Sequence, residues 1–334
     1  MKVKMDAAGE KGVALLMAVV AILLLSVAVL STRSSVDLFE KLAYSSAQEI
    51  QTDYLARSGL GLIQAALEED GLEVDSFSDD WAAANTIGAV PVGDIGWVTA
   101  VVEDEDGKLD VNRLVDQNGE IDGFTAARLW TLFISLGIGD DRADEIVSSL
   151  IDWIDDDGIA EPGGAEDPYY SSLSRPYPIS NSKIRTVGEL ALVKGIGTVI
   201  LERGEDDILP LRRFLTVNGD PSGLININTA PAEVLMSLTP DDVDGVNYFI
   251  DRDLAQEVVR VREETPFESK TELKERVMDF HEDLFNQISP LIDVKSSHFS
   301  ARVLGETERA SSRASGVFQR EGDGQVRLVY YRGF

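Results

Sequence analysis

The residues with the most chemistry to offer lie between positions 140 and 170, where eleven carboxylates face a single base, Arg142. Like charge at that density repels itself unless water or cations screen it. Within the run, Asp152-Trp-Ile-Asp155-Asp156-Asp157-Gly158 leads through Glu161-Pro162-Gly163-Gly164 to Glu166-Asp167-Pro168-Tyr169-Tyr170. Hard oxygen donors on a glycine-rich loop suit Ca2+, which takes about six to eight oxygens in loose geometry. Asp155, Asp157 and Glu166 fall at the first, third and twelfth positions of EF-hand spacing. Ile159 and Ala160 stand where that loop needs an oxygen ligand and a glycine, so the segment is not an EF-hand. The residues alone leave two readings open, a calcium site and a solvated acidic loop. Trp153 reads as a core anchor, and Tyr169 with Tyr170 as packing for the loop.

Other chemistries find less support. His281 and His298 are the only histidines, and neither sits in a His-Glu-x-x-His or nucleophile-elbow setting. His281, beside Glu282 and Asp283, reads as a surface residue. The paired carboxylates could serve a glycosidase, but no aromatic sugar platform accompanies them. The chain is therefore not expected to be an enzyme. It has no cysteine, hence no disulfide, thiolate nucleophile or cysteine-held zinc. Thirty Lys and Arg against 59 Asp and Glu give a net charge of -29, which repels nucleic acid and anionic headgroups and favours basic partners or metal cations. The alternative reading is a membrane-anchored DNA-binding or uptake protein, because Leu224 to Arg276 looks like a helix-hairpin-helix module. Such modules hold phosphate on the amides of a Gly-Ile-Gly hairpin. Here Thr239-Pro-Asp-Asp-Val-Asp-Gly joins the helices, and Gly195-Ile196-Gly197 is soon followed by Glu202, Glu205, Asp206 and Asp207. No nucleic-acid partner is expected, and the region reads as the same fold used for packing.

The elements that must position the acidic loop begin at a membrane. Val13 to Leu30 is uncharged, with Ser26 its one polar side chain, and as a helix it spans roughly 27 Å, close to the hydrocarbon thickness of a bilayer. A short hydrophilic leader with Lys2, Lys4 and Lys11 precedes it and ends at Gly12. That is the pattern of a prepilin signal, cut on the cytoplasmic side after Gly12 so that Val13 becomes the new N-terminus; an uncleaved single-span anchor is the other reading. The lysines place the leader in the cytoplasm and the bulk outside. Leu38, Leu42, Ile50, Tyr54, Leu55, Leu62, Ile63 and Ala66 continue a helix, interrupted only by Gly59 and Gly61, with Gly71 as terminator. Asp75 to Asn85 reads as loop and Gly96 to Glu103 as a strand ending in the acidic turn Asp104-Glu105-Asp106-Gly107. Helical patterns follow over Phe124–Leu136, Arg142–Ile154, Thr186–Lys194, Ala230–Leu238, Asp253–Arg262 and Lys270–Arg276. Period-2 segments return at Phe299–Leu304, Ala314–Arg320 and Gln325–Arg332. One strand before the helical block and three after it point to one sheet with a large insertion; two domains in series is the competing arrangement.

The prepilin-like start, the interrupted sheet, and the strings Leu150-Ile-Asp-Trp-Ile-Asp-Asp-Asp and Pro162-Gly-Gly-Ala-Glu-Asp-Pro-Tyr-Tyr together resemble the GspK family, the large minor pseudopilins of type II secretion systems. Thr186-Val-Gly-Glu-Leu-Ala-Leu-Val-Lys-Gly and Leu224-Ile-Asn-Ile-Asn-Thr-Ala-Pro-Ala-Glu-Val-Leu are similar to two further stretches of that family. The resemblance implies an α+β pseudopilin fold, a long N-terminal helix plus antiparallel sheet, with a mostly α-helical domain inserted in the sheet. The expected divisions are a leader (1–12), the helix (13–70, with 13–30 in the membrane), the first part of the pseudopilin domain (71–107), the insertion (108–293) and the closing strands (294–334). It also implies structural Ca2+ in the insertion, with ligands among Asp152, Asp155, Asp157, Glu166 and Asp167, and cleavage at Gly12 with methylation of Val13. The fifth mature residue, usually glutamate in pilins, is Met17, which matches the K type. The implied role is tip assembly of the pseudopilus and support of protein export. Implied partners are the I- and J-type minor pseudopilins, the major pseudopilin and the prepilin peptidase, with the secretin and secreted substrates as further contacts. The implied location is the inner membrane of a Gram-negative bacterium, single-pass, with the N-terminus cytoplasmic and the bulk periplasmic.

Overall fold

The apolar run and the stretch behind it form one helix, α1 (Ala7–Glu69), free of proline throughout. The fold is that of a computed structural model describing residues 7–205, 208–240 and 248–333. Lys2 and Lys4 of the leader, Asp206 and Asp207, and Asp241, Asp242 and Asp244 of the acidic helix connection lie outside the described residues. Among the described residues the first half of α1 is exposed, and its apolar window, unburied throughout, is long enough to cross a membrane. Most of its hydroxyls bond inside the helix: Ser26 Oγ donates to the Ile22 carbonyl at 2.7 Å and Thr32 Oγ1 to that of Ala28 at 2.9 Å. Such local pairing removes most of the cost of a hydroxyl in hydrocarbon.

The second half of α1 lies on a sheet through Leu55, Ala56, Leu60, Ile63 and Leu67. The helix continues as the pattern predicts, but not all of its apolar residues meet the sheet. Leu38, Leu42, Ile50, Tyr54 and Leu62 are exposed, because the helix meets the sheet only in its last turns and these residues precede the contact or point away from it. Gly59 is where the two elements come closest. A Cβ there would stand 2.5 Å from Val303 Cγ1 and 2.8 Å from Val98 Cγ1, and one on Gly305 would stand 2.6 Å from the Ala56 nitrogen. The glycine read as an interruption is thus the contact that lets helix and strand approach.

After α1 come α2 (Asp80–Ile87), β1 (Val90–Val92) and β2 (Gly96–Asp104). Helix α2 corrects the loop expected from Asp75 to Asn85. Its Trp81 is buried against Phe299 at a ring separation of 5.3 Å, and that tertiary contact overrides the loop-like composition. The chain then leaves the sheet through β3 (Leu109–Asp110), α3 (Gly123–Ser135), α4 (Asp140–Ile154), α5 (Asp167–Ser171), α6 (Gly197–Glu202), β4 (Leu215–Thr216) and β5 (Ile225–Asn226). It continues through α7 (Ala232–Met236), α8 (Arg252–Glu264), α9 (Glu272–Arg276), α10 (Glu282–Ile288) and β6 (Ile292–Asp293), and returns as β7 (His298–Glu306), β8 (Ser311–Arg320) and β9 (Val326–Gly333). The helix expected over Thr186–Lys194 is a 3-10 helix, Val187–Leu192, with Gly188 in its first turn and Gly195 soon after its end. The sheet order is β1-β2-β7-β8-β9, antiparallel throughout, with Asp104 opposite Phe299 and Trp97 opposite Glu306. Strands β2 and β7 are neighbours in space, so residues 105–297 are an excursion from a single sheet.

Two apolar cores result, one between α1, α2 and the sheet, the other inside the excursion around Phe133, Ile146, Leu150, Phe214 and Phe267. A polar seam joins them beside the C-terminal end of α1. Asp104 Oδ2 accepts from Thr229 Oγ1 at 2.5 Å, Ser296 Oγ at 2.6 Å and Asn226 Nδ2 at 3.2 Å. Arg320 pairs with Asp75, and with Asp70 at 3.2 Å. Burial, and then the neighbouring Asp106, push the Asp104 carboxyl up to about 7.

Candidate metal centre

Helix α4 is amphipathic, burying Ile146, Leu150 and Trp153, and its last turn carries Asp152 into the interior at 0% exposure. Trp153 is the anchor that fixes this turn. Its ring meets Tyr170 edge-on at 5.0 Å and its indole nitrogen donates to Glu189 at 3.1 Å. The backbone turns extended at Asp155, passes Gly158 at φ +71°, and folds back so that the Glu161 amide donates to Asp152 Oδ1 at 2.9 Å. Gly164 then crosses directly over Asp152, where a Cβ would fall 2.1 Å from Oδ2. Lys194 Nζ holds the crossing, donating to the Gly163 carbonyl at 2.8 Å and to that of Gly164 at 3.3 Å. Tyr170 is fully buried beneath the loop, whereas Tyr169 is exposed under the Lys194 ammonium.

One carboxylate oxygen each from Asp155, Asp157 and Glu166 lies within 4.8 Å of the others. Asp155 is 9% exposed and Glu166 7%, while Asp157 faces solvent. Asp152 Oδ2, Asp155 Oδ1 and Glu166 Oε1 are all buried without a hydrogen-bond donor. Burial, followed by the charges of Asp157, Asp152 and Glu166, pushes the Asp155 carboxyl up to about 6. Burial also raises Asp152 and Glu166, with neighbouring carboxylates adding to it. A buried carboxylate without donor or counter-charge is costly, and three together more so. A divalent cation with a preference for oxygen, held by Asp155, Asp157 and Glu166, would answer the open oxygens of Asp155 and Glu166, so this donor set fits Ca2+, whereas Asp152 Oδ2 lies under Gly164 and outside the cluster. Asp167 stands apart from these: it opens α5, is exposed, and accepts from Ser171 Oγ at 3.1 Å.

The other predicted positions lie on α1. Gly12 and Val13 are exposed within the helix, nothing would meet a Cβ on Gly12, and Met17 is 68% exposed. Sequence reading missed that the acidic turn after β2 is interior. Asp104, Glu105 and Asp106 are all buried. The available signal was an acidic triplet abutting an apolar strand.

A long helix, half bare and apolar and half packed on an antiparallel sheet that carries an inserted helical domain, defines the pseudopilin class. Family models described as Type II secretion system (T2SS), protein K match residues 107–207 and 225–279. Type II secretion system protein K of Aeromonas hydrophila is 25% identical over 84% of this chain and 83% of its own length. That of Klebsiella pneumoniae is 26% identical over 70% and 72%. The solved GspK-GspI-GspJ complex from enterotoxigenic Escherichia coli contains a chain of the same fold, with TM-score 0.61 and 19% identity over 91% of this chain and 99% of that one. Family models and relatives together support the GspK family, the minor pseudopilins of type II secretion, for this chain.

Proposed function

We propose that this chain occupies the tip of the pseudopilus and starts its assembly with minor pseudopilins of the I and J types, in support of protein export across the outer membrane. The observation that carries the reading is Met17 on an exposed apolar helix with no carboxylate from Val13 to Leu30. A carboxylate in a lipid-like interior costs several kcal/mol, about 3 or more, unless an opposite charge answers it. In pilin-like filaments that charge is the N-terminal amine of a neighbouring subunit. A subunit without the acid makes no such demand on a subunit ahead of it, so it can be first. The excursion sits at the end of α1 away from the membrane span and crowds the top of the subunit. The likeness to a chain from a GspK-GspI-GspJ complex supports the choice of partners.

Under the same proposal the leader is removed between Gly12 and Val13, the new amine is methylated, the sheet and excursion face the periplasm, and Ca2+ sits on Asp155, Asp157 and Glu166, with Asp152 and Asp167 at its margin. Met17→Glu is the direct test. It should relax the preference for the tip and lower initiation of filaments in a reconstituted system. Wild-type initiation by the variant would show that the missing acid does not set the position. Mass measurement of the mature chain should give an N-terminal methylated Val13, and an intact leader would contradict the processing.

A further inference from the structure

We propose that Asp106, Asp220 and His298 form a second metal site that takes a divalent cation of the zinc class and clamps the inserted domain to the sheet. The three residues come from the three parts that must be held in register. Asp106 lies on the connection leaving β2, His298 is the first residue of β7, and Asp220 lies in the loop after β4, inside the excursion. One oxygen from each aspartate and a ring nitrogen of the histidine lie within 4.8 Å of one another.

Asp106 is built for a task its protein neighbours do not complete. It is 3% exposed, and its Oδ2 accepts from the Ser297 amide at 2.6 Å, Ser297 Oγ at 3.1 Å and the His298 amide at 3.1 Å. Those donors lock the carboxylate in place. Its Oδ1 is left buried with no hydrogen-bond donor, aimed at the cluster and 3.3 Å from His298 Nδ1. Ser297 Oγ lies 2.9 Å from the same ring nitrogen and restrains the imidazole.

The way in is a cleft of 330 Å3 walled by Asp106, Asp220 and Asp293. The two cations on its rim are already engaged, Lys295 with Glu73 at 3.0 Å and Arg320 with Asp70 and Asp75. One imidazole and two carboxylates with room for water is the ligand set of zinc-class ions, whereas calcium prefers oxygen alone. A protonated His298 paired with Asp106 is the rival account, in which Asp220 adds only its charge and is not a ligand.

The test uses the full chain in detergent, stripped with chelator, in a background of Asp155→Asn with Asp157→Asn to silence the acidic loop. Calorimetric titration with Zn2+ should retain a binding event in that background, and Co2+ should give visible absorption from a nitrogen-containing site. His298→Gln and Asp220→Asn should each weaken Zn2+ at least about tenfold and remove the Co2+ signal. Asp220 is half-buried on a loop, and asparagine keeps the oxygen that accepts from the Ser222 amide, so this variant reads the site even if His298→Gln fails to fold. Absence of Zn2+ binding in the silenced background, or binding indifferent to both replacements, would leave only the ion pair and overturn the proposal.

Discussion

The seam and the acidic loop both bury aspartates, yet only the seam gives Asp104 and Asp75 the partners they need. Asp104 receives three side-chain donors on one oxygen and the Asp106 amide on the other, and Asp75 faces Arg320. In the loop, Asp152, Asp155 and Glu166 each keep a buried oxygen with no donor. Where protein donors close the shell, the cluster is a joint between two cores. Where oxygen faces oxygen, protein groups leave the shell open, and under the proposal that calcium closes it stability should depend on solution conditions.

The largest effect expected is at the joint. Arg320→Met removes the cation facing Asp75, which is fully buried, and breaking such a pair costs about 3 to 5 kcal/mol. Denaturant unfolding of the full chain in detergent should show a loss of that size at pH 8, and added calcium should not restore it. Rescue by calcium would mean that the seam is not closed by protein groups and that the contrast fails.

A smaller effect, with a change of sign, is expected at the loop. With calcium a hundredfold above its dissociation constant, the native state gains about 2.7 kcal/mol, and chelator should remove this gain. Asp155→Asn should raise the unfolding midpoint in chelator, by relieving repulsion among the loop carboxylates, and lower it in calcium, by removing a ligand. A midpoint that moves in the same direction under both conditions would make the loop a solvated acidic turn and not a site.

The contrast also marks what the sequence could disclose. Helix α1, strands β2, β7, β8 and β9 and the excursion between them follow from long stretches of regular periodicity, which composition cannot disguise. The loop carboxylates were legible as an acidic cluster because Asp152 to Glu166 is local, its members close together in the chain. The seam was not, because the partners of Asp104 are Asn226, Thr229 and Ser296, brought to it only when the excursion closes on the sheet. Helix α2 was hidden for the same reason: Trp81 reveals its burial only through Phe299. The apolar residues of α1 from Leu38 to Tyr54 were legible as a helical pattern but not as exposed ones, since a helix that packs on a membrane or on sister subunits carries the same signal as one that packs on its own sheet.

The smallest expected effect is a slope with pH, and it separates the two clusters without mutation. In chelator, Asp155 is raised to about 6, Asp75 to about 6 and Asp104 to about 7, all above the ordinary aspartate value. The folded chain therefore binds protons more tightly than the unfolded one, so stability should fall as pH rises from about 4 towards 7, by less than about 1.4 kcal/mol per pH unit for each group. Calcium requires the ionised loop and competes with its protons, so the stabilisation it gives should grow from pH 5 to 7 and then level. The seam has no such competitor, and its part of the slope should persist in calcium. Unfolding midpoints measured across this range, with calcium and with chelator, should converge at the acid end and separate at neutral pH. Parallel curves would mean that calcium does not compete with the proton on Asp155 and would remove Asp155 from the calcium site.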